Sequence, residues 1–280
     1  MFTLDEKSLR ENIQICVDKA KQENPLVPSI TNTVTVNFVA NAQLAVGGSA
    51  AMIYLPDEAE NIARICSSFY INMGTLLPVY AETLPRVIRV LKKCHKSWVL
   101  DPVGIGMGAL REQLMLAMKE CPPTIVRGNA SEIIALANIW GIDSGDQHSG
   151  VRGVDSTDSV ASARSSAVAI ARFIKGAVAV SGEEDLITDG ENVVISKGGS
   201  AMCCKVTGCG CSLGGVTAVY AGLADPLIAG AAASAIYNEA SSYAEKNCQG
   251  TGSFQVEFLD RLYNLQGSEV SKNSLRIERA

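Results

Sequence analysis

The chain is 280 residues long, 47% hydrophobic and 19% charged, which excludes a disordered or coiled-coil chain and supplies apolar side chains for a large core. A formal net charge of −5 gives nothing that would draw the molecule as a whole to nucleic acid or an anionic membrane. Nine cysteines, an odd number, lie behind a polar N-terminus, "MFTLDEKSLREN", without a secretory apolar segment, and a reducing, cytoplasmic setting is expected.

In chain order, Ile62, Ile65, Cys66 and Phe69 repeat at helical spacing and lead into a β-rich run, "FYINMG". Leu84, Val87, Ile88 and Leu91 then mark the buried stripe of an amphipathic helix. Its solvated face takes the basic cluster Arg89, Lys92, Lys93, His95 and Lys96. The strand "SWVLDPVG", a helix carrying Leu110, Leu114, Ala117, Met118 and Cys121, and the strand "PTIVRGN" follow. The polar stretch 141–159 reads as a surface loop before a helix from about Val160 to Lys175. "AVAVSG" is the next strand, and "LITDGENVVI" is a hairpin turning at Asp189-Gly190. From Cys211 to Tyr237 the chain is apolar, but Asp225-Pro226 divides it and Gly and Ala dominate, so two tightly packed helices are expected rather than a membrane span.

Strands alternating with helices imply an α/β fold with a mostly parallel central sheet covered on both faces. No linker-like run divides residues 1–280, and a single domain is expected. Asn72, Gly74, Asp101, Arg127, Asn129, Ser181 and Gly182 fall at the C-terminal tips of the strands, the edge where open parallel sheets bind ligands.

The stretch "KVTGCGCSLGG" admits three chemistries. Zinc could use Cys203, Cys204, Cys209 and Cys211, although Cys-Cys plus Cys-x-Cys departs from the usual ligand spacing. Disulfide exchange would more naturally use Cys-x-x-Cys, which this stretch lacks. In the third reading, Gly208 and Gly210 let the backbone approach a ligand while Cys211 and Ser212 open a helix whose free amides and dipole hold a phosphate. An ordinary glycine turn before a buried helix fits the same spacing. In "RGNASE", Asn129 and Glu132 form a variant capping box, and a carboxylate placed there can also organise Mg2+. Arg127 just upstream suits a polyphosphate. Asp101 opens the glycine-rich "DPVGIGMG", which lacks the spacing of a dinucleotide fingerprint. Only His95 and His148 are available, neither beside a nucleophile, which disfavours a Ser-His-Asp or Cys-His hydrolase.

Taken together, "SITNTVTVNFVANAQLAVGGSAAM", "INMGT", "LDPVGIGMG", "RGNASEI", "RGVDS", "VSGEED", "KVTGCGC" and "GTGSFQVEFLDRL" resemble, in order and approximate spacing, the hydroxyethylthiazole kinase family across nearly the whole chain. The resemblance implies a ribokinase-like three-layer α/β/α sandwich. It also implies transfer of the γ-phosphate of ATP to the alcohol of 4-methyl-5-(2-hydroxyethyl)thiazole in thiamine salvage. By the same resemblance Gly208, Cys209, Gly210 and Cys211 form an anion hole, with Cys211 where related sugar kinases hold a catalytic Asp. Asn129 and Glu132 match an Asn-x-x-Glu motif tied to Mg2+ and phosphate, and Asp101 an acidic position that helps organise metal and water. Arg127 and Ser181 fall at ATP contacts, and Asn32, Val34, Met52 and Gly208 in the thiazole pocket. The family's homotrimer, with that pocket between subunits, is implied as well. Two positions depart from the pattern: Ser181 replaces the usual Thr, and Cys209 replaces a small residue and adds a thiol open to oxidation. The Cys211 thiolate is expected to gain from the helix N-terminus and lose from nearby phosphates. A related kinase acting on hydroxymethylpyrimidine and a cysteine-rich metal or redox protein are the alternatives.

Overall fold

The structure is a computed structural model, and it describes residues 4–144 and 159–280. The polar stretch 145–158, with His148 and "RGVDS", lies outside the described residues. The elements begin with α1 (Glu6–Glu23), β1 (Leu26–Ile30), α2 (Val36–Ala45), β2 (Ser49–Met52), α3 (Pro56–Ile65), β3 (Ser68–Asn72) and α4 (Tyr80–Lys93). They continue with β4 (Ser97–Asp101), α5 (Ala109–Glu120), β5 (Ile125–Asn129), α6 (Ala130–Trp140) and α7 (Arg164–Ile174). Next come β6 (Ala177–Ser181), β7 (Glu184–Thr188), β8 (Asn192–Lys197), α8 (Cys209–Ala221), α9 (Pro226–Asn247), α10 (Thr251–Asn264), α11 (Gly267–Val270) and β9 (Ser274–Arg279).

The strands form one sheet in the order β2-β1-β3-β4-β5-β6-β7-β8-β9. Pairing is parallel from β2 to β6 and antiparallel from β6 to β9. Because helices cover both faces, the central strands bury both of their own faces and read as continuous apolar runs. Tyr70, Val99, Ile125 and Ala177 face a core built on α1, α2, α8, α9 and α10. Their neighbours Phe69, Trp98, Leu100, Val126 and Val178 face a second core under α3 to α7. The three-layer α/β architecture expected from the strand–helix alternation is therefore present. β1 pairs with β2 on one side and β3 on the other, so the sheet's direction of growth reverses between β1 and β3, where such sheets open a ligand crevice.

Several local expectations need correction. The stripe Ile62, Ile65, Cys66 and Phe69 overruns its helix: α3 ends at Ile65, which is 72% exposed, and Phe69 belongs to β3. Apolar spacing continued across the turn because a buried strand supplies apolar residues at every position. Helix α8 begins at Cys209, two residues before the expected start. The divided apolar stretch is the pair α8 and α9, with Asp225 capping α9 through its bond from the Leu227 amide and Pro226 in its first turn. Among the described residues, no helix is long and apolar enough to cross a membrane. The hairpin at Asp189-Gly190 forms as β7 and β8, and Gly190 takes a φ of +92°.

Candidate active site

The turn ahead of α8 sets the geometry. Gly208 adopts φ +98°, a backbone region costly for side chains, and a Cβ there would lie 3.1 Å from the Phe38 ring and 3.3 Å from Thr35. The first helical turn closes from the Ser212 amide to Gly208 O at 2.7 Å. The Cys209 amide points at Val206 O at 3.4 Å, so it is partly used. The Gly210 and Cys211 amides have no backbone acceptor among the described residues. Two free donors at the positive end of a helix suit an anion.

Below these amides lies a buried polar cluster from the tips of β3 to β6. Arg127 Nη1 is 3.3 Å from Asp101 Oδ2, and Nη2 donates to the Ser181 hydroxyl. A Cβ on Gly210 would stand 3.3 Å from Arg127 Nη1, so the absent side chain is what lets the guanidinium approach the turn. Burial works against the Arg127 charge, but Asp101 and Glu132 more than offset it, and the group stays cationic. Asp101 Oδ2 also accepts from the Tyr70 hydroxyl and from Asn72 Nδ2, both at 3.0 Å. Asp101 Oδ1 is buried and has no hydrogen-bond partner among the described residues.

Asn129 and Glu132 form a complete capping box at the start of α6, with Asn129 Oδ1 accepting from the Glu132 amide at 2.9 Å. Glu132 Oε2 accepts the Asn129 amide at 2.8 Å. Burial, then the charge of Asp101, pushes Glu132 up to about 7. Burial likewise raises the Asp101 carboxyl, with Arg127 opposing it. Two neighbouring acids that both resist ionisation, one with an orphaned oxygen, fit a divalent cation that takes one or two carboxylates and completes its shell with water and phosphate.

The cysteines divide. Burial and then Asp101 raise the Cys211 thiol to about 11, which favours the neutral thiol where the sequence left opposing influences in balance. Cys209 is 4% exposed, and a hydrogen bond with Cys203 followed by burial pushes its thiol up. Its side chain therefore lies in the core, and only its backbone belongs to the turn. Cys204 is exposed while Cys209 is buried, and among the described residues no group of three or more His, Cys, Asp or Glu side chains is placed to hold a metal.

Of the residues implied for the thiazole pocket, Asn32 and Val34 fall in the β1–α2 loop at the crevice. Asn32 Oδ1 accepts from the Thr75 hydroxyl at 2.7 Å and the Val34 amide at 3.0 Å. Val34 is 70% exposed. Gly208 reaches this loop through Thr35. Met52 ends the edge strand β2 opposite Ser29, and is not drawn into the polar cluster. Tyr70 was not legible as a site residue, since an aromatic inside a β-rich run is ordinary core. Asn72 showed only as a polar strand tip.

A family model, the hydroxyethylthiazole kinase family, matches residues 17–268. The chain is similar to hydroxyethylthiazole kinase of Bifidobacterium longum subsp. infantis, 46% identical over 96% of this chain and 92% of the relative. It is 48% identical to that of Bifidobacterium adolescentis over 96% and 95% of the two chains. Among solved structures, the hydroxyethylthiazole kinase protein from Pyrococcus horikoshii superposes with a TM-score of 0.84 at 27% identity, over 96% of this chain and 99% of that one. Pyridoxal kinase from Staphylococcus aureus, at a TM-score of 0.61 and 15% identity over 91% and 99% of the two chains, shares the fold alone. The fold is ribokinase-like, and the chain, a kinase, belongs to the hydroxyethylthiazole kinase family.

Proposed function

We propose that this kinase transfers the γ-phosphoryl group of ATP to the hydroxyl of 4-methyl-5-(2-hydroxyethyl)thiazole. The observation that carries this reading is the pair of free amides at Gly210 and Cys211, set against Arg127 and beside the crevice containing Asn32 and Val34. The relatives' shared name supplies the acceptor alcohol.

Phosphoryl transfer passes through a loose transition state with its charge on the equatorial oxygens, so positioning and electrostatics dominate. In our reading the two amides receive that charge, worth about 3 kcal/mol for one well-placed donor. Arg127 and Ser181 hold the polyphosphate, with Asn129 shaping the turn beside them. Asn32, Val34, Met52 and Gly208 enclose the thiazole. Cys211, a neutral thiol, positions the alcohol, whose proton leaves late in a loose transition state. Mg2+ would be held by Asp101 and Glu132, through water where their oxygens are already bonded, and would neutralise polyphosphate charge. A homotrimer that completes the pocket between subunits, and a cytoplasmic location, belong to the same proposal.

The test is ADP release from Mg-ATP, with and without the thiazole alcohol and with hydroxymethylpyrimidine in parallel. Stimulation by the thiazole alcohol at least about tenfold over the pyrimidine is the expected result. Preference for the pyrimidine would replace the substrate assignment while leaving the kinase assignment in place.

A further inference from the structure

Helix α8 is held to strand β3 and helix α2 through its own carbonyls. The Tyr70 hydroxyl lies 2.7 Å from Cys211 O, Gln43 Nε2 lies 3.3 Å from Gly215 O, and the Ser68 hydroxyl donates to Ala218 O. Positions 211, 215 and 218 follow the i, i+4, i+7 spacing and form one stripe along the helix. Tyr70 and Ser68, two residues apart on β3, point to the same face. The helix comes so close that a Cβ on Gly214 would lie 2.5 Å from the Tyr70 hydroxyl. Gln43 is itself steadied by Ser29, whose hydroxyl is 3.0 Å from Nε2.

Tyr70 differs from the other two anchors in what else it touches. It is fully buried, its oxygen accepts from Asn72 Nδ2 at 2.9 Å, and its hydroxyl also faces Asp101 Oδ2 at 3.0 Å. One hydroxyl proton faces two acceptors, the Cys211 carbonyl and the Asp101 carboxylate. The group therefore ties the first turn of α8 to the tip of β4 rather than merely capping one of them.

We propose that Tyr70 is a positioning residue for phosphoryl transfer: its hydroxyl sets the register of the Gly210 and Cys211 amides against Asp101 and Arg127. This rests on the kinase reading above. Misplacing a reacting group by about 1 Å can cost on the order of 100-fold in rate, and the end of α8 nearest the chemistry is the end Tyr70 controls. Gln43 and Ser68 fasten the helix farther along.

The test compares Tyr70→Phe with Ser68→Ala, which removes a buried bond to the same helix at its far end. Two quantities are measured: kcat and KM with the thiazole alcohol, and amide hydrogen exchange of the ligand-free protein. For Tyr70→Phe, we expect kcat to fall at least about tenfold with KM within about twofold, a split that marks an interaction used in the transition state. Exchange in the first two turns of α8 should quicken while α9 is unchanged. Ser68→Ala should lower Tm with kcat within about twofold. Unchanged exchange near Cys211 in Tyr70→Phe overturns the proposal, as does an equal kcat loss in both variants. If Tyr70→Phe does not fold, Gly214→Ala breaks the same contact from the helix side and carries the same expectations. A wild-type protein inactive on the thiazole alcohol would sink the substrate assignment; exchange in the ligand-free variants would still judge whether Tyr70 sets the turn.

Discussion

Gly210 and Arg127 meet where a side chain would otherwise stand: a Cβ on Gly210 would lie 3.3 Å from Arg127 Nη1 and 3.6 Å from Nη2. The turn that offers free amides is thus in direct reach of the buried Arg127 guanidinium. Gly210→Val should displace Arg127 and crowd the phosphate, lowering kcat on the order of 100-fold or more while the circular dichroism spectrum stays native. Steady-state ADP release checks it.

Cys211→Ser keeps a small polar side chain and leaves the backbone amide in place. Since the thiol is already neutral, with burial and Asp101 holding it up to about 11, no thiolate base is lost. Activity within about tenfold of wild type is expected. A loss as large as that of Gly210→Val would assign the main catalytic role to the side chain.

Glu132 carries a pH signature. Its folded pKa, pushed up to about 7, exceeds that of an ordinary Glu, so between about pH 4.5 and 7 the folded chain holds a proton that the unfolded chain has released. Its contribution to stability is therefore full below about pH 4.5 and is lost as pH rises through the folded value near 7, by on the order of 3 kcal/mol. Glu132→Gln retains an oxygen for the Asn129 amide and removes the charge. Relative to wild type, the variant should gain stability as pH goes from 5 to 8, read as ΔTm, while Mg2+-dependent turnover drops at least about tenfold. A variant with lowered Tm and normal turnover would make Glu132 a cap and nothing more.

Arg127 and Asp101 should behave as a buried pair. Arg127→Ala leaves the Asp101 carboxylate without its cation and should cost roughly 3–5 kcal/mol in urea unfolding at pH 7. Adding Asp101→Asn removes the stranded charge and should restore part of that loss. Additive losses in the double variant would show that the two groups are independent.

The sheet and the cleft were legible because its central strands are runs of apolar residues that stop abruptly at Asn72, Asp101, Arg127, Asn129 or Ser181. Composition changes sharply where a buried parallel strand meets its ligand edge. The strands toward the two ends of the sheet were not: β1, "LVPSI", contains a proline, and of the two edge strands β2 is "SAAM" and β9 alternates with Arg and Glu. None carries the dense β-branched signal of a buried strand. Within the site, Gly208 and Gly210 could be found because glycine marks backbone demand, whereas Tyr70 acts through a hydroxyl on a residue that strands use anyway. The sequence puts Cys209 in the turn but does not tell which way a helix's first side chains point, and its thiol faces the core.

The most direct measurement is a crystal structure with bound nucleotide. A terminal phosphate, or an analogue of the transferring group, with oxygens about 3 Å from the Gly210 and Cys211 amides is the predicted result. A terminal phosphate bound elsewhere, with the 207–211 turn closed against Thr35 and Arg127, would contradict it.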